Sequence, residues 1–452
     1  MRAAAYPAYR STWHRWLKQV PAHWRERKLK FAAHAQSSNV DKHLVDDEEL
    51  VRLCNYTEVY NHAQITDDLP FMAATASQSE IEKFLLRAGD VIITKDSESW
   101  DDIAVPAWVP KDLDNVLCGY HLSHIRPNAA ELDGAYLHLL LSSEAVNYQF
   151  CVAANGVTRF GLPARQIDQA IVLLPPLDEQ RAIVRFLDAK TAEIDALIAR
   201  KQRLLELLAE QRSALITKAV TKGLNPNAPL KPSGLPWPGD IPKHWQVLPL
   251  TKYLDSWIDY RGKTPRKTAS GVFLVTAKNI KGGRIDYQLS QEFVAEDVYD
   301  EVMRRGLPEI GDVLLTTEAP LGEVAAIDRT EVALAQRVIK LCGRRGILDN
   351  GFLRLWMMSA PFQWHLLSYA TGSTATGLKA SRKCILKLLL PPIGEQRSIA
   401  EFVHRRLERI DRQVAKIEGT LTVHREFRSA LITAAVTGQI DVRDWEPRKA
   451  AA

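Results

Sequence analysis

Two stretches of the chain carry the hydrophobic pattern of long amphipathic helices. After Pro175-Pro176, apolar residues recur at alternating spacings of three and four, which is typical of a coiled-coil seam. The same pattern follows Pro391-Pro392 in the same phase. The first helix, over 178–221, is predicted to be about 65 Å long at about 1.5 Å per residue. The seams consist of Ile183, Leu187, Ile194, Ile198, Leu205, Leu208 and Leu215, and of Ile399, Val403, Ile410, Val414, Ile417, Leu421 and Leu431.

These helices are the best-matched part of an internal repeat. The segment Leu173–Arg181 returns as Leu389–Arg397, an offset of 216 residues (389 minus 173), and this offset holds without a gap across residues 156–221 of the first copy. Upstream the match is looser: Pro21-Ala22-His23-Trp24 corresponds to Pro242-Lys243-His244-Trp245. Each repeat is therefore a variable globule followed by a well-matched tail. If a pseudo-twofold axis relates the repeats, the helices lie antiparallel and space the globules apart.

The globules alternate short β-like runs with helical segments and with Gly and Pro punctuation. The predicted strands are Val91–Thr94, Val313–Thr316 and Arg337–Leu341, and the predicted helices are Tyr136–Leu141 and Phe352–Met357. The fold class is therefore α+β, with two pseudo-symmetric α/β globules joined by two long antiparallel coiled-coil helices. The predicted domains are a first globule at 1–172, a first spacer helix at 173–222, a Pro/Gly linker at 223–239, a second globule at 240–388, a second spacer helix at 389–440 and a C-terminal tail at 441–452.

Composition narrows the class of protein without deciding its function. The net charge of +5, from 59 Lys and Arg against 54 Asp and Glu, permits a polyanionic partner but does not require one. Five cysteines in no CxxC arrangement indicate neither a disulfide framework nor a zinc site. Since no stretch reaches the roughly 18 apolar residues of a membrane span and no signal peptide is evident, we expect a cytoplasmic protein with no membrane partner.

The motifs that resemble catalytic sites are incomplete. Arg261-Gly262-Lys263-Thr264 contains the GKT of a phosphate-binding loop, but the glycine required five residues earlier is Trp257. Leu174-Pro175-Pro176 lacks the Asn, Asp or Ser that precedes the prolines in a motif gripping a flipped adenine. The histidines form no metal-spaced cluster. We find no catalytic machinery and no metal site in the sequence.

The second globule has the residues that contact with nucleic acid uses. Basic groups suit phosphates, Asn and Gln suit adenine, and Arg suits guanine. The alternatives, namely a solvated turn, an ordinary basic hairpin, a solvent-facing strand end and a structural turn, stay open. The candidates are Arg261, Lys263 and Thr264 of the basic loop, Lys278, Asn279, Lys281 and Arg284 of a predicted hairpin, Gln336 and Arg337, and Ser373 and Thr374 between glycines.

The first globule is less legible because its cations are dispersed. Lys95 begins a loop that follows a strand, as Thr317 does in the second copy. Thr158 and Arg159 align with the glycine-bracketed loop of the second copy. We retain Lys95, Thr158 and Arg159 as candidate DNA contacts, although a positioned loop explains Lys95 as well as a site does.

Together these motifs resemble the specificity subunits of type I restriction-modification systems. The resemblance is carried by the paired Leu-Pro-Pro-x-x-Glu-Gln-Arg tails, by the Pro-x-His-Trp openings, by Ala277-Lys278-Asn279-Ile280 and by Glu318-Ala319-Pro320-Leu321-Gly322. It implies that each globule is a target-recognition domain reading one half of a bipartite DNA site, and that the helices set the gap between the halves. Since the two globules differ in most loops, we expect an asymmetric site.

The resemblance also implies partners. Two modification subunits would bring S-adenosylmethionine and methylate adenine, and restriction subunits would bring ATP and Mg²⁺ for translocation and cleavage, so this chain would bind no cofactor and would not be an enzyme. The residues expected to meet partners on the helices are Glu179, Gln180 and Phe186, with Glu395, Gln396 and Phe402. Two alternatives remain: a protein scaffold, and a fused nuclease or methyltransferase, for which no catalytic-sized segment is left.

Overall fold

The computed structural model describes residues 5–13, 15–260, 265–370, 377–378 and 380–446. The chain forms two compact units. Unit 1 consists of residues 1–201 and 419–452, and unit 2 consists of residues 202–418. Each unit therefore combines one globule with part of both long helices.

Unit 1 has mixed secondary structure, as its short apolar runs predict. A 3-10 turn lies at Leu29–Phe31. The first long helix, α6, begins in this unit and ends in unit 2. The helices are α1 (Tyr56–Asn61), α2 (Gln78–Phe84), α3 (Gly134–Ser142), α4 (Glu144–Cys151), α5 (Ala164–Gln169) and α6 (Leu177–Lys222). The strands are β1 (Tyr9–Ser11), β2 (Gln19–Pro21), β3 (Arg25–Lys28), β4 (Ala33–Ser37), β5 (Glu49–Cys54), β6 (Met72–Ala76), β7 (Val91–Thr94), β8 (Asp96–Ser97), β9 (Pro106–Trp108), β10 (Val116–Cys118), β11 (Leu122–Pro127), β12 (Asn155–Gly156), β13 (Phe160–Gly161) and β14 (Ile171–Leu174).

Unit 2 repeats this mixture. Four 3-10 turns lie at Leu250–Tyr253, Ala277–Asn279, Glu296–Val298 and Ala380–Ile385. Its helices are α7 (Tyr299–Met303), α8 (Asn350–Met358), α9 (Ala360–Ser368) and α10 (Ile393–Val436). Its strands are β15 (Leu230–Pro232), β16 (Asp240–Pro242), β17 (Gln246–Pro249), β18 (Leu254–Asp259), β19 (Lys267–Thr268), β20 (Val272–Val275), β21 (Ile280–Lys281), β22 (Arg284–Ile285), β23 (Phe293–Val294), β24 (Val313–Thr317), β25 (Leu321–Ala326), β26 (Val332–Leu334), β27 (Val338–Gly343) and β28 (Lys387–Leu390).

The central sheets of the two units are built alike. In unit 1 the strand order is β4-β11-β7-β9, and in unit 2 it is β18-β27-β24-β25, with antiparallel neighbours throughout. Each unit also has a parallel pair, β5 with β10 and β20 with β26. The predicted strands at Val91–Thr94 and Val313–Thr316 are confirmed, and the strand predicted from Arg337 begins one residue later.

Strand β7 is buried at all four positions because each of its faces packs into a different core. Val91 and Ile93 point to the core beneath α3, while Ile92 points to the core around β5, β6 and β10. Alternate residues of a strand face opposite sides, which explains a continuous apolar run here.

The predicted short helices are confirmed as α3 and α8. Asp133 caps α3 by accepting a hydrogen bond from Tyr136 N at 3.1 Å, and Asp349 caps α8 by accepting one from Phe352 N at 3.0 Å. A side-chain oxygen at this position satisfies a free N–H of the first turn. Both helices bury apolar side chains against the central sheet of their own unit.

The two long helices are confirmed. α6 has 46 residues and α10 has 44, which correspond to about 69 Å and 66 Å. At the start of the seams Ile183, Leu187, Ile399 and Val403 are fully buried. Near the carboxyl ends Ile216 and Ile432 are buried, each one position beyond the predicted seam residue, whereas Leu215 and Leu431 themselves are only partly buried. A helix with 3.6 residues per turn drifts relative to a strict heptad, which accounts for this shift.

Within each unit the two helix segments run antiparallel. In unit 1, Arg428 Nε donates to Asp195 Oδ1 at 2.9 Å, and Ile432 shares a core with Ile183. In unit 2, Arg212 donates to Asp411, and Gly223, just beyond the end of α6, lies beside Glu395. The two ion pairs are equivalent by the 216-residue offset of the repeat (411 minus 195, and 428 minus 212).

The C-terminal segment completes unit 1. Val442 is buried in the core of this unit, and the Trp445 ring meets the Phe186 ring edge-on at 5.3 Å between centroids. Gly438 has φ +71°, and a Cβ there would lie 2.3 Å from Pro21 Cδ. Glycine is therefore required where the chain leaves α10 and packs against the first globule.

Candidate nucleic-acid interface

Five of the predicted contact residues lie outside the described residues. They are Arg261, Lys263, Thr264, Ser373 and Thr374. Two described residues, Pro265 and Gly377, adjoin these segments and show where the chain leaves them. Pro265 lines the cleft described next, and Gly377 forms a β-bridge with Glu318.

Three predicted contact residues of unit 2 line one open cleft of about 310 Å³. They are Lys278, Gln336 and Arg337, and together with Lys267 and Thr276 they define what we call the unit 2 cleft. Because β20 and β26 are parallel, their carboxyl ends meet at one edge of the sheet. Lys278 follows β20, and Gln336-Arg337 follow β26, so the topology brings together residues distant in sequence.

Glu318 orients the guanidinium of Arg337 at this cleft. Arg337 Nε lies 3.0 Å from Glu318 Oε1, and both side chains are partly exposed. The backbone fixes the pair further, since Thr317 N donates to the Arg337 carbonyl at 2.9 Å. Within the described part of the chain, the two terminal nitrogens of Arg337 have no hydrogen-bond partner. They form the donor fork that matches O6 and N7 of guanine.

Asn279 is placed differently from its predicted neighbours. Its side chain is fully buried, and its Nδ2 donates to the carbonyls of Asp286 at 3.0 Å and Ser290 at 2.9 Å. Its Oδ1 accepts from Thr276 N at 2.9 Å and from Thr276 Oγ1 at 2.8 Å. All of its strong hydrogen-bonding positions stabilise the loop that carries Lys278, so a contact with adenine would require these bonds to open.

Lys281 and Arg284 are exposed on the two-stranded hairpin β21-β22. Two arginines hold the turn between these strands: Arg212 donates to the Gly282 carbonyl at 2.9 Å, and Arg354 donates to the Gly283 carbonyl at 3.3 Å. Burial and the neighbouring Arg212 charge lower the pKa of Arg354. A Cβ at Gly283 would lie 2.7 Å from Met358 Cε, so the turn fits closely against α8. The hairpin presents its two cations from a fixed base.

In unit 1 the predicted residues Lys95 and Arg159 lie around a pair of aromatic residues that sequence reasoning missed, Tyr120 and His121. Lys95 Nζ lies 4.6 Å from the centre of the Tyr120 ring and 3.3 Å from the Ser38 carbonyl. An Arg159 Nη lies 3.4 Å from His121 Nδ1. We call Lys95, Tyr120, His121 and Arg159 the unit 1 surface. Thr158 is exposed at the adjoining hairpin tip between β12 and β13.

Two further tyrosines lie near this surface. The Tyr56 and Tyr60 rings stack at 5.4 Å between centroids, and Tyr60 OH donates to Asp102 at 2.7 Å. The Asp102 hydrogen bond raises the pKa of Tyr60, and burial followed by the Asp102 charge raises the pKa of Tyr56. Both phenols therefore remain protonated at neutral pH, and the single O–H of Tyr60 is already donated to Asp102.

The unit 1 surface and the unit 2 cleft occupy the same place in the fold. Tyr120-His121 connect β10 to β11, and Gln336-Arg337 connect β26 to β27. Asp96 follows the central strand β7 and lies 2.8 Å from His121, just as Glu318 follows β24 and pairs with Arg337. The strand order shows that the two positions are equivalent, although the residues at them differ.

The Glu-Gln-Arg motifs fasten each globule to its long helix. Glu179 is buried and accepts from Tyr6 OH at 2.6 Å and Trp24 Nε1 at 2.8 Å, with His23 Nε2 also at 2.8 Å. Gln180 accepts from Asp133 N at 2.9 Å and donates to two carbonyls. Burial and Glu179 raise the pKa of Tyr6, so its hydroxyl stays a donor.

The second copy makes the same contacts. Glu395 accepts from Trp245 Nε1 at 3.1 Å and lies 2.8 Å from His244 Nε2, while Gln396 accepts from Asp349 N at 2.8 Å. Of the residues predicted to meet partners, Glu179, Gln180, Gln396 and Phe186 are buried within their own units, whereas Glu395 and Phe402 are partly exposed.

Among the described residues, no group of three or more His, Cys, Asp or Glu side chains is arranged to hold a metal ion. No helix in the described ranges combines the length and the apolar character needed to cross a membrane.

Comparisons with known proteins place these features in a family. Residues 53–207 match the family described as Type I restriction modification DNA specificity domain. The putative type I restriction enzyme MjaX specificity subunit of Methanocaldococcus jannaschii is 24% identical over 382 residues, which cover 81% of this chain and 82% of that protein. The MjaVIII specificity subunit of the same organism is 25% identical over 278 residues, 60% of this chain and 62% of that relative, which is less than two thirds of its length.

A solved structure shares the fold. A chain from a study of complex assembly and conformational transition of the type I R-M system aligns with a TM-score of 0.63 at 17% identity, covering 93% of this chain and 99% of that chain. The chain also contains a duplicated globule and helix, and Glu179 and Glu395 make matching contacts in the two copies. Residues 53–207 thus match the type I restriction modification DNA specificity domain, and over most of its length the chain is similar to a type I restriction enzyme specificity subunit.

Proposed function

We propose that this chain is the sequence-specific DNA-binding subunit of a type I restriction-modification complex, and that each unit contacts one half of a bipartite site. The observation that carries the proposal is the shared position of the unit 1 surface and the unit 2 cleft. Each lies at the same turn of an equivalent sheet and offers cations beside groups able to bond base edges.

The two half-sites are proposed to differ. The unit 2 cleft offers the amide of Gln336, the guanidinium of Arg337 and the ammonium of Lys278. The corresponding part of unit 1 offers a phenol and an imidazole, Tyr120 and His121. Since different donor and acceptor sets favour different bases, an asymmetric target follows.

The long helices are proposed to fix the gap between the half-sites. Half-sites one turn of DNA apart are separated by about 34 Å, and α6 and α10 each exceed this length. Rigid linkage of two weak contacts raises the effective concentration of the second and gives a tight complex. Phosphate contacts from the exposed Lys278, Lys281, Arg284 and Arg159 would make affinity fall steeply with salt.

The chain is proposed to contribute recognition and assembly, and no catalytic group. Two modification subunits would supply S-adenosylmethionine chemistry, and restriction subunits would supply ATP- and Mg²⁺-dependent translocation and cleavage. Among the residues expected to meet these partners, Phe402 is the aromatic one that is partly exposed, with Arg406 5.4 Å from the centre of its ring. It is the best placed for a protein contact.

The test is co-purification of the full chain with a candidate modification subunit, followed by selection from a randomised DNA pool at moderate and high salt. We expect a gapped, two-part, non-palindromic motif whose recovery falls as salt rises. A palindromic motif would contradict the asymmetry. A stable complex that selects no DNA would overturn the proposal in favour of a protein scaffold.

A further inference from the structure

The pairs Arg337–Glu318 and His121–Asp96 are the most closely matched polar feature of the two interfaces. His121 and Arg337 each occupy the last position before the strand that lies second in the central sheet of their unit. Asp96 follows β7 and pairs with Gly161. Glu318 follows β24 and forms a β-bridge with Gly377. One architectural position therefore holds a carboxylate beside a nitrogen-bearing side chain in both units, an imidazole in unit 1 and a guanidinium in unit 2.

In each pair the carboxylate contacts one nitrogen of the imidazole or guanidinium and leaves its other edge for a ligand. Glu318 engages Arg337 through Nε, so the terminal fork remains. Asp96 Oδ2 lies 2.8 Å from His121 Nδ1, and since an ionised carboxylate can only accept, Nδ1 carries the hydrogen. Nε2 of the neutral ring is then an acceptor.

The surroundings supply the phosphate contacts that such a base reader needs. Lys278 lines the cleft beside Arg337, and Arg159 and Lys95 flank Tyr120-His121. Phosphate contacts fix the register of a protein on DNA, while groups between them read the bases. The side chains of His121 and Arg337 are 37% and 48% exposed, so both are held in orientation yet accessible.

Resting on the proposed function, we infer that Arg337 and His121 are the equivalent base-contacting residues of the two units. Arg337 donates two hydrogen bonds to a guanine. His121 Nε2 accepts one from the exocyclic amino group of an adenine or a cytosine. Glu318 and Asp96 are positioning residues that hold the Arg337 and His121 side chains in the orientation that reads a base.

The experiment uses the full chain with its modification subunit and a randomised DNA pool, at a pH of about 8, where free imidazole is neutral. We expect Arg337→Lys to lose the guanine preference at one position of one half-site, with binding to the wild-type site weakened roughly 5- to 150-fold. His121→Arg should change one position of the other half-site to guanine. In both variants the opposite half-site should be unchanged.

Controls separate reading from folding and from charge. Lys252→Gln and His34→Gln alter exposed residues of units 2 and 1 outside these surfaces and should leave the motif unchanged. Equal melting temperatures of wild type, Arg337→Lys and His121→Arg would show that the fold is kept. Glu318→Gln should relax the guanine preference while the charge of Arg337 persists.

The two proposals fail in different ways. If the wild-type complex selects no motif, the proposed function falls and this assignment falls with it. If the wild type selects a gapped motif that Arg337→Lys and His121→Arg leave intact, the assignment alone is wrong. A uniform loss of affinity at an unchanged motif would likewise overturn it, since that is the signature of a phosphate contact.

Discussion

In unit 1 the Glu179 carboxylate accepts hydrogen bonds from Trp24 and lies beside His23, and in unit 2 Glu395 has the equivalent partners. At the turn that precedes β11 in unit 1 and β27 in unit 2, the side chains differ. Unit 1 has the His121 imidazole, and unit 2 has the Arg337 guanidinium. The repeat thus keeps the contacts that fasten a globule to its helix and changes the contacts that face outward. Identity between the copies marks the attachment of each globule to its helix, and difference marks the surfaces proposed to read DNA.

The interiors of the central sheets show a second contrast. In unit 1, buried Asp90 pairs with His124 at 2.8 Å and with Arg126 at 2.7 Å. Burial alone would raise the pKa of Asp90, but the hydrogen bonds from Arg126 and His124 outweigh it and hold the pKa below its usual value. In unit 2 the equivalent Asp312 pairs with a buried lysine, Lys340. The same carboxylate position is paired with His124 and the partly exposed Arg126 in unit 1 and with the buried Lys340 in unit 2.

The largest expected effect on stability comes from breaking the buried Asp312–Lys340 pair. Asp312→Asn leaves the Lys340 ammonium buried without its counter-ion, which should cost unit 2 about 3–5 kcal/mol. Asp90→Asn should cost unit 1 less, because the Arg126 side chain is partly exposed and can reach water. Hydrogen exchange of the β24 and β27 amides, against those of β7 and β11, measures each unit separately. The double change Asp312→Leu with Lys340→Met should recover most of the loss, and equal losses in both units would contradict the contrast.

The next effect concerns the equivalent phenylalanines of the long helices. Phe186→Ala removes a buried ring that packs on Trp445 and should destabilise unit 1 by about 3 kcal/mol. Phe402→Ala removes a partly exposed ring and should cost under about 1 kcal/mol. Thermal unfolding compares the two variants, and co-purification tests partner binding. If Phe402→Ala keeps the fold but loses the modification subunit, the predicted partner role of Phe402 stands, and unchanged co-purification would reject it.

A smaller contrast appears with pH. Burial, followed by the nearby charge of Arg428, lowers the pKa of His138 to about 4, whereas the equivalent residue of unit 2 is Arg354, which does not titrate in this range. A histidine whose folded pKa is depressed binds its proton more readily when unfolded, so unit 1 should lose stability as pH falls from about 6.5 towards 4. His138→Leu should flatten this slope in unit 1 and leave the pH dependence of unit 2 unchanged. Urea unfolding at several pH values decides, and an unaltered unit 1 slope would exclude His138 as its source.

The smallest expected effect is that of one phosphate contact. Lys278→Gln should weaken DNA binding less than about tenfold, equally for all sequences, and reduce the salt slope by about one. Lys252→Gln removes the same charge outside the cleft and should leave the slope unchanged. Titrations at several salt concentrations compare the two variants. A change in the selected motif with Lys278→Gln would instead make Lys278 a base reader.

Sequence reasoning found most of the unit 2 cleft and little of the unit 1 surface. Lys278, Gln336 and Arg337 have side chains typical of DNA contacts, and the structure brings them together. Tyr120 and His121 carried no such signal, because an isolated Tyr-His pair is usually part of a core or an ordinary surface. Aligning the copies by strand order, rather than by residue identity, would have revealed them.

Buried polar residues were the least legible. Asn279 has the amide that suits adenine, yet the chain itself uses its hydrogen-bonding capacity, so its predicted DNA contact remains a prediction. Glu179 and Gln180 repeat in sequence as a functional motif would, and their role is to join globule and helix. A repeated motif shows that both copies need these residues. It does not show whether they bind a partner or stabilise the chain's own fold.

The sequence by itself determined the duplication, the two long helices, the short strands and the mixed class of the globules. Those features depend on periodicity and on turn residues, which act over a few positions of the chain. Only the tertiary structure decided that His121 meets Asp96, that Arg337 meets Glu318 and that the C-terminal segment completes unit 1. These contacts join residues brought together by strand pairing and burial, and no local pattern encodes which distant partner each will find.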